Sequence, residues 1–201
     1  MRICVVDDHP MVLEGVTAVL GRRGHQTETA SDIGQATKVL AERGPFDLLL
    51  LDYFLPSGKG PELLQDPAVD PPEQVVILSA MQDPEDILFA LEQTTAKAYI
   101  LKLIDLEDLA IAVEQIAGLQ SGSSAGHVWD TKRRCFIAAE KAFPSGTVLT
   151  RKEREVFMHM RQGLQDKQIA DRLGRSIHTV RVQVRSIKRK RGHSRRAEVI
   201  Q

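Results

Sequence analysis

The sequence predicts an α/β domain on a doubly wound parallel sheet of five strands, followed by a small all-α domain. Three observations carry this expectation. In residues 1–120, short apolar runs of strand type alternate with stretches of helical spacing. From Thr150 onward the spacing is helical throughout, punctuated by glycines. The 201-residue chain is neutral overall, yet residues 1–120 carry 20 acidic and 8 basic side chains and residues 121–201 carry 7 and 19, so the halves are −12 and +12. One domain rarely sorts its charge this way, and the split implies two domains with different partners.

The elements follow in order. "RICVV" (2–6) is a β-branched run, and "MVLEGVTAVLGRRG" (11–24) has helical spacing and ends in glycine. A weak strand near 25–29 precedes a helix over about 32–43. "FDLLLLD" (46–52) is too short to span a membrane, which needs ~20 apolar residues. It reads instead as a strand buried on both faces, as in a parallel sheet covered by helices. A short helix is expected at 60–65, then a buried strand "QVVILSA" (74–80) and a helix with proline at its start (83–93). "AKAYILK" (96–102) is the fifth strand and 105–119 an amphipathic helix. "SGSSAG" (121–126) opens a linker. The stretch from there to Pro144 has no clear assignment, although Trp129 and Phe136 suggest that part of it packs.

In the basic half, Thr150 with Glu153 forms a capping box, and Gly163 ends that helix. A second helix covers 164–174, a third runs from the Ser176 cap to about Arg191, and a fourth is expected at 194–200. Short helices joined by short turns match the helix-turn-helix unit. Ile177, Val180, Val184 and Ile187 form one apolar stripe of the third helix. Arg181, Val182 and Arg185 fall on the other side, flanked by Gln183 and Lys188. The positive charge points to a polyanion, nucleic acid first. A membrane-surface segment would want aromatic and leucine residues that this half largely lacks. The two cysteines, Cys4 and Cys135, have no metal or redox spacing, and the N-terminus turns acidic before a signal-peptide core could form. The expectation is a soluble, cytoplasmic protein.

The chemistry concentrates where the strands end. Asp7 and Asp8 follow the first strand, Asp52 the third, Ser79 the fourth and Lys102 the fifth. In open parallel sheets, ligands sit beyond these carboxyl ends. Three carboxylates close together repel unless a cation lies among them, and Mg²⁺ with oxygen ligands suits such a site. Phosphoryl transfer follows: Asp52 can act as nucleophile, and Lys102 and Ser79 can hold phosphoryl oxygens.

"VVDDHP", "LLLLDYFLP…G", "ILSA" and "AYILK" in this order resemble the receiver domain of bacterial response regulators, a flavodoxin-like fold. The resemblance implies Asp52 as phospho-acceptor. It implies Asp7, Asp8, Asp52 and the Phe54 backbone carbonyl as Mg²⁺ ligands, Lys102 as phosphoryl partner, and Ser79 with Tyr99 as the switch pair. Two departures stand out: Thr94 and Thr95 replace small residues, and Leu103 follows the lysine where many receivers have proline. "LTRKEREVF", "QGLQDKQIADRLGRS" and "HTVRVQVRSIKRKRG" are similar to the LuxR-type DNA-binding domain. Carried over, Arg181, Val182 and Arg185 reach base edges, while Lys167, Thr179, Lys188 and Arg189 contact phosphates. Here Arg151 replaces a helix-start proline and Gln183 a common histidine.

Together these imply a NarL/FixJ-class regulator: receiver 1–120, linker 121–146, DNA-binding domain 147–201. Its expected partners are a sensor histidine kinase, double-stranded promoter DNA, RNA polymerase and a second copy in an active homodimer, with no membrane. Two rivals remain open. One is a DNA-binding regulator independent of phosphorylation. The other is a Mg²⁺-dependent phosphatase, which commonly carries a second aspartate two residues after the nucleophile, where this chain has Phe54.

Overall fold

The computed structural model describes residues 1–116, 126–143 and 148–192. The chain divides into two compact units, Met1–Ala142 and Phe143–Gln201. In the first, β1 (Arg2–Val6) and α1 (Pro10–Arg22) precede β2 (Gln26–Ala30), α2 (Ile33–Arg43) and β3 (Leu48–Asp52). A ribbon of two residues per strand, Phe54–Leu55 with Gly58–Lys59, and a 3₁₀ turn, Gly60–Gln65, follow. Then come β4 (Gln74–Ser79), α3 (Pro84–Glu92), β5 (Ala98–Leu101) and α4 (Leu106–Ile116). The five strands are parallel in the order β2-β1-β3-β4-β5.

The leucine run explains the centre of this sheet. Leu48 to Leu51 are at most 1% exposed because β3 pairs with β1 on one side and β4 on the other while helices cover both faces. Burying each such side chain contributes ~1.5–3 kcal/mol. Alternate residues Ile3, Val5, Leu48, Leu50, Val76 and Leu78 share one core with the apolar stripes of α1 and α4. Helix starts are sharp where side chains satisfy free amides. The Asp32 carboxylate accepts from Gln35 N at 2.9 Å, and that of Asp83 accepts from Glu85 N at 2.8 Å. Thr94 closes α3 at the other end: its hydroxyl donates to Ala90 O at 2.9 Å and accepts from Ala96 N at 3.1 Å. A polar residue therefore fits where small ones are usual.

Two expectations about the first unit need correction. The sheet has seven strands, not five, because β6 (His127–Asp130) pairs parallel with β5 and β7 (Cys135–Ala138) returns antiparallel to β6. Most of residues 126–143, expected within a linker, thus belongs to the first unit, ending in a short helix, α5 (Ala139–Ala142). The physical reason is Trp129. It joins the α1/α4 core and meets Phe136 edge-on, with centroids 5.2 Å apart. Arg134 pairs with Asp108 of α4, and its carbonyl accepts from Gln115 Nε2 at 3.2 Å. The opening of the linker at 121–125 lies outside the described residues.

The second unit contains α6 (Arg151–Arg161), α7 (Asp166–Leu173) and α8 (Ile177–Lys190). The Thr150–Glu153 capping box is present, Gly174 ends α7 at φ 61°, and Ser176 caps α8. Leu149, Val156, Phe157, Met160, Ile169, Ala170, Val180, Val184 and Ile187 form the core. Ile177 does not join it: it sits in the first turn of α8 and is exposed, so the buried stripe begins at Val180. The expected helix at 194–200 lies outside the described residues.

Candidate functional site

Parallel register brings the strand ends to one level. Val6 lies beside Leu51, Asp52 beside Leu78 and Ser79 beside Leu101. The next residue on each chain therefore emerges at the same rim. Asp7 is fully buried there, and its backbone amide donates to Ala30 O at 3.1 Å. Lys102 is anchored by its own amide, which donates to Ser79 O at 2.9 Å. This bond sets the loop without the proline that receivers often carry, and Leu103 beside it is exposed.

The Lys102 ammonium lies between two carboxylates, 2.6 Å from Asp52 Oδ2 and 2.7 Å from Asp7 Oδ2. Asp52 Oδ1 accepts from Phe54 N at 3.3 Å. Asp8 is partly exposed above them. A cleft of about 650 Å³ opens over this group, lined among others by Asp8, His9, Asp52, Phe54, Ser79 and Lys102. Burial raises the Asp52 carboxyl above the usual carboxylate range, with the charge of Asp7 adding to it. Lys102 opposes this but is shared with Asp7, so it does not restore the ordinary value. Burial alone would lower the Lys102 ammonium; its ion pairs with Asp52 and Asp7 outweigh that and raise it, so it is firmly charged.

A divalent cation fits this donor set. Single ligand atoms from Asp7, Asp8, His9 and Asp52 lie within 4.8 Å of one another. Asp7 Oδ2, beside Lys102, and Asp8 Oδ1, beside His9, are buried without an aligned hydrogen bond. Three carboxylates face one ammonium, and hard oxygen donors in excess negative charge suit Mg²⁺. His9 was not among the expected site residues. Its Nδ1 lies 2.8 Å from Asp8 Oδ1, and its backbone amide donates to Asp7 Oδ1 at 3.0 Å. Its adjacency in "DDHP" was the signal available.

Ser79 is buried at the cleft, and Tyr99 is wholly buried with its hydroxyl donating to Met81 O at 2.9 Å. Burial first, then Asp86 and Asp52, push the Tyr99 phenol above its ordinary value. The Met81 carbonyl left no trace in the sequence, because any residue carries one. Tyr99 also pairs in register with Val128 of β6, next to Trp129.

In the second unit, Arg181, Val182, Arg185 and Arg189 are exposed on α8, as is Lys167 on α7, and Lys188 is half-buried. Thr179 is exposed but tied into the cap of α8, its hydroxyl 2.8 Å from that of Ser176. Lys190 is turned inward. It donates to Glu153 Oε2 at 2.7 Å and ties the end of α8 to the start of α6. Arg175 likewise pairs with Glu155. The basic run is thus divided between an outward face and internal ties, a division that charge counting could not anticipate.

Residues 3–114 match the family described as response regulator receiver domain, and residues 147–201 match bacterial regulatory proteins of the luxR family. The chain is 32% identical over 191 residues to the nitrate/nitrite response regulator protein NarP of Escherichia coli, covering 94% of this chain and 87% of that one. It is 26% identical to the oxygen regulatory protein NreC of Staphylococcus aureus over 209 residues, covering 100% and 95%. In fold it is similar to RcsB from Salmonella enterica serovar Typhimurium bound to promoter DNA with the phosphomimetic BeF3⁻, at TM-score 0.63, 20% identity and coverage of 100% and 96%. Among the described residues, no helix is long and apolar enough to cross a membrane. The chain therefore belongs to the response-regulator family, a two-component transcription regulator that joins a receiver domain to a LuxR-type DNA-binding domain.

Proposed function

We propose that Asp52 accepts a phosphoryl group from a sensor histidine kinase and that this modification controls binding of the second unit to promoter DNA in the cytoplasm. The observation that carries the reading is the Lys102 ammonium held between Asp7 and Asp52 at the mouth of an acidic cleft. Asp52 attacks the phosphorus while the bond to the donor's imidazole nitrogen breaks, and the imidazole leaves with a proton. Lys102 and the Ser79 hydroxyl are positioned to take phosphoryl oxygens. Asp7, Asp8, Asp52 and the Phe54 carbonyl would hold Mg²⁺, which supplies charge neutralisation for the transferring group. The added charge near Ser79 and Tyr99 biases their packing.

For the output, Arg181, Val182 and Arg185 form the base-reading face, with Lys167, Thr179, Lys188 and Arg189 on phosphates. The receiver core 1–120 and the DNA-binding domain 147–201 remain part of the proposal, the receiver being extended by the 127–138 hairpin that pairs with its last strand. RcsB dimers are bound to DNA in a related fold, which supports an active homodimer here; contact with RNA polymerase belongs to the same proposal.

Intact-mass measurement with a small phosphodonor such as acetyl phosphate tests the acceptor. Wild type gains one phosphoryl group only with Mg²⁺, and Asp52→Asn gains none. An unchanged gain in that variant overturns the assignment. Footprinting on genomic DNA with and without the phosphodonor tests the coupling.

A further inference from the structure

In the second unit, the starts of α7 and α8 face each other across an open cleft of about 360 Å³ lined by Gln165, Asp166, Lys167, Ile177 and Arg181. Asp166, the first residue of α7, is three-quarters buried there, whereas Arg181 projects from α8 and is largely exposed. Asp166 Oδ2 stands 3.9 Å from Arg181 Nε.

A first-turn aspartate is ordinarily explained by the helix dipole. At this helix start Gln165 N donates to Gln168 Oε1 at 2.8 Å in a capping box, and the dipole favours an acid in the first turn without fixing which cation its carboxylate faces. The acid also sits beside Lys167 and Arg181 on the face proposed to meet DNA, where a negative charge opposes phosphates. Guanidinium geometry offers a reason for it. An arginine approached at Nε keeps its terminal Nη pair free, and that pair is the fork that matches guanine O6 and N7.

We propose that Asp166 is the positioning residue that sets base specificity. It holds the Nε edge of Arg181 so that the Nη fork addresses one base pair, and its charge weakens binding wherever that pairing is not made. The inference rests on the DNA-reading assigned to α8 above.

The test uses the full chain with phosphodonor. Duplexes are selected from a random library, and affinity is then measured for the enriched site and for a scrambled duplex at two salt concentrations. Arg181→Ala identifies the base position that Arg181 reads. Asp166→Asn, nearly isosteric and so least disturbing to α7, should lose base preference at that same position. It should bind scrambled DNA more tightly and lower the specific-to-scrambled ratio about fivefold or more. Arg181→Lys should flatten the same position while keeping the charge. If Asp166→Asn keeps full preference there, or loses affinity equally on both duplexes, the proposal is overturned while DNA reading by α8 stands. If wild type enriches no sequence at all, the underlying DNA-reading falls, and this proposal with it.

Discussion

Replacing Glu153 with glutamine should selectively loosen the DNA-binding unit. The Glu153 carboxylate accepts from Lys190 Nζ at 2.7 Å and from Thr150 N at 2.7 Å, with the Thr150 hydroxyl at 2.9 Å. Burial on its own would raise this carboxyl; Lys190, Ser186 and Thr150 outweigh it and pull it from 4.5 down to about 2. At ~1.4 kcal/mol per pKa unit, the ionised form contributes ~3 kcal/mol to the folded unit. Because the folded value is the lower one, this stability is present above pH 4.5 and is lost as pH falls toward about 2. Glu153→Gln forfeits it at neutral pH and leaves Lys190 without its counter-charge. For a small domain, ~3 kcal/mol corresponds to a melting midpoint lower by roughly 12–24 °C. The chain offers a clean assay. Its one tryptophan, Trp129, and both tyrosines, Tyr53 and Tyr99, lie in the first unit, so intrinsic fluorescence follows that unit alone. Far-UV circular dichroism follows both. The helical transition should drop at pH 7 while the fluorescence transition stays, and wild type and variant should converge between pH 4.5 and 2. A midpoint unchanged at pH 7, or a gap that ignores pH, would refute the electrostatic account.

Four further outcomes are expected. Asp52→Asn should raise the fluorescence midpoint, because burial raises the Asp52 carboxyl and its charge therefore opposes folding; the gain should grow as pH rises above the ordinary carboxylate range, and Mg²⁺ should stabilise wild type more than the variant. Gly60→Ala should destabilise the receiver by >1 kcal/mol in chemical denaturation, since a Cβ there would fall on the carbonyl oxygen of Asp52. Trp129→Ala should cost ~3–5 kcal/mol of receiver stability, followed by dichroism because the fluorophore is gone, and a loss below 1 kcal/mol would mean that the hairpin is not part of the core. Arg185→Ala should cost ~1–3 kcal/mol on specific DNA and relax base preference, whereas Lys188→Ala should weaken specific and random DNA alike and reduce the salt slope; equal losses from both would dissolve the division of roles.

Much of this molecule is legible in one dimension because its signals are periodic or positional. A fully apolar β3, helix caps at Thr150 and Ser176, and acids placed just after strands all depend on neighbours within a few residues. The alignment of Asp7, Asp52, Ser79 and Lys102 follows from parallel strands ending together, so the acidic pocket could be anticipated from strand ends alone. The hairpin at 127–138 could not. Its strands are four residues long, and its turn, "TKRR", is basic rather than glycine- or asparagine-rich; only the space beside β5 and α4 makes burying Trp129 worthwhile. Tertiary structure likewise decided which charges face outward. Lys188, Arg189 and Lys190 are consecutive in sequence, yet Lys190 turns in to Glu153 across a separation of 37 residues. The choice between solvent and partner depends on what the fold brings near, and no local pattern carries that information.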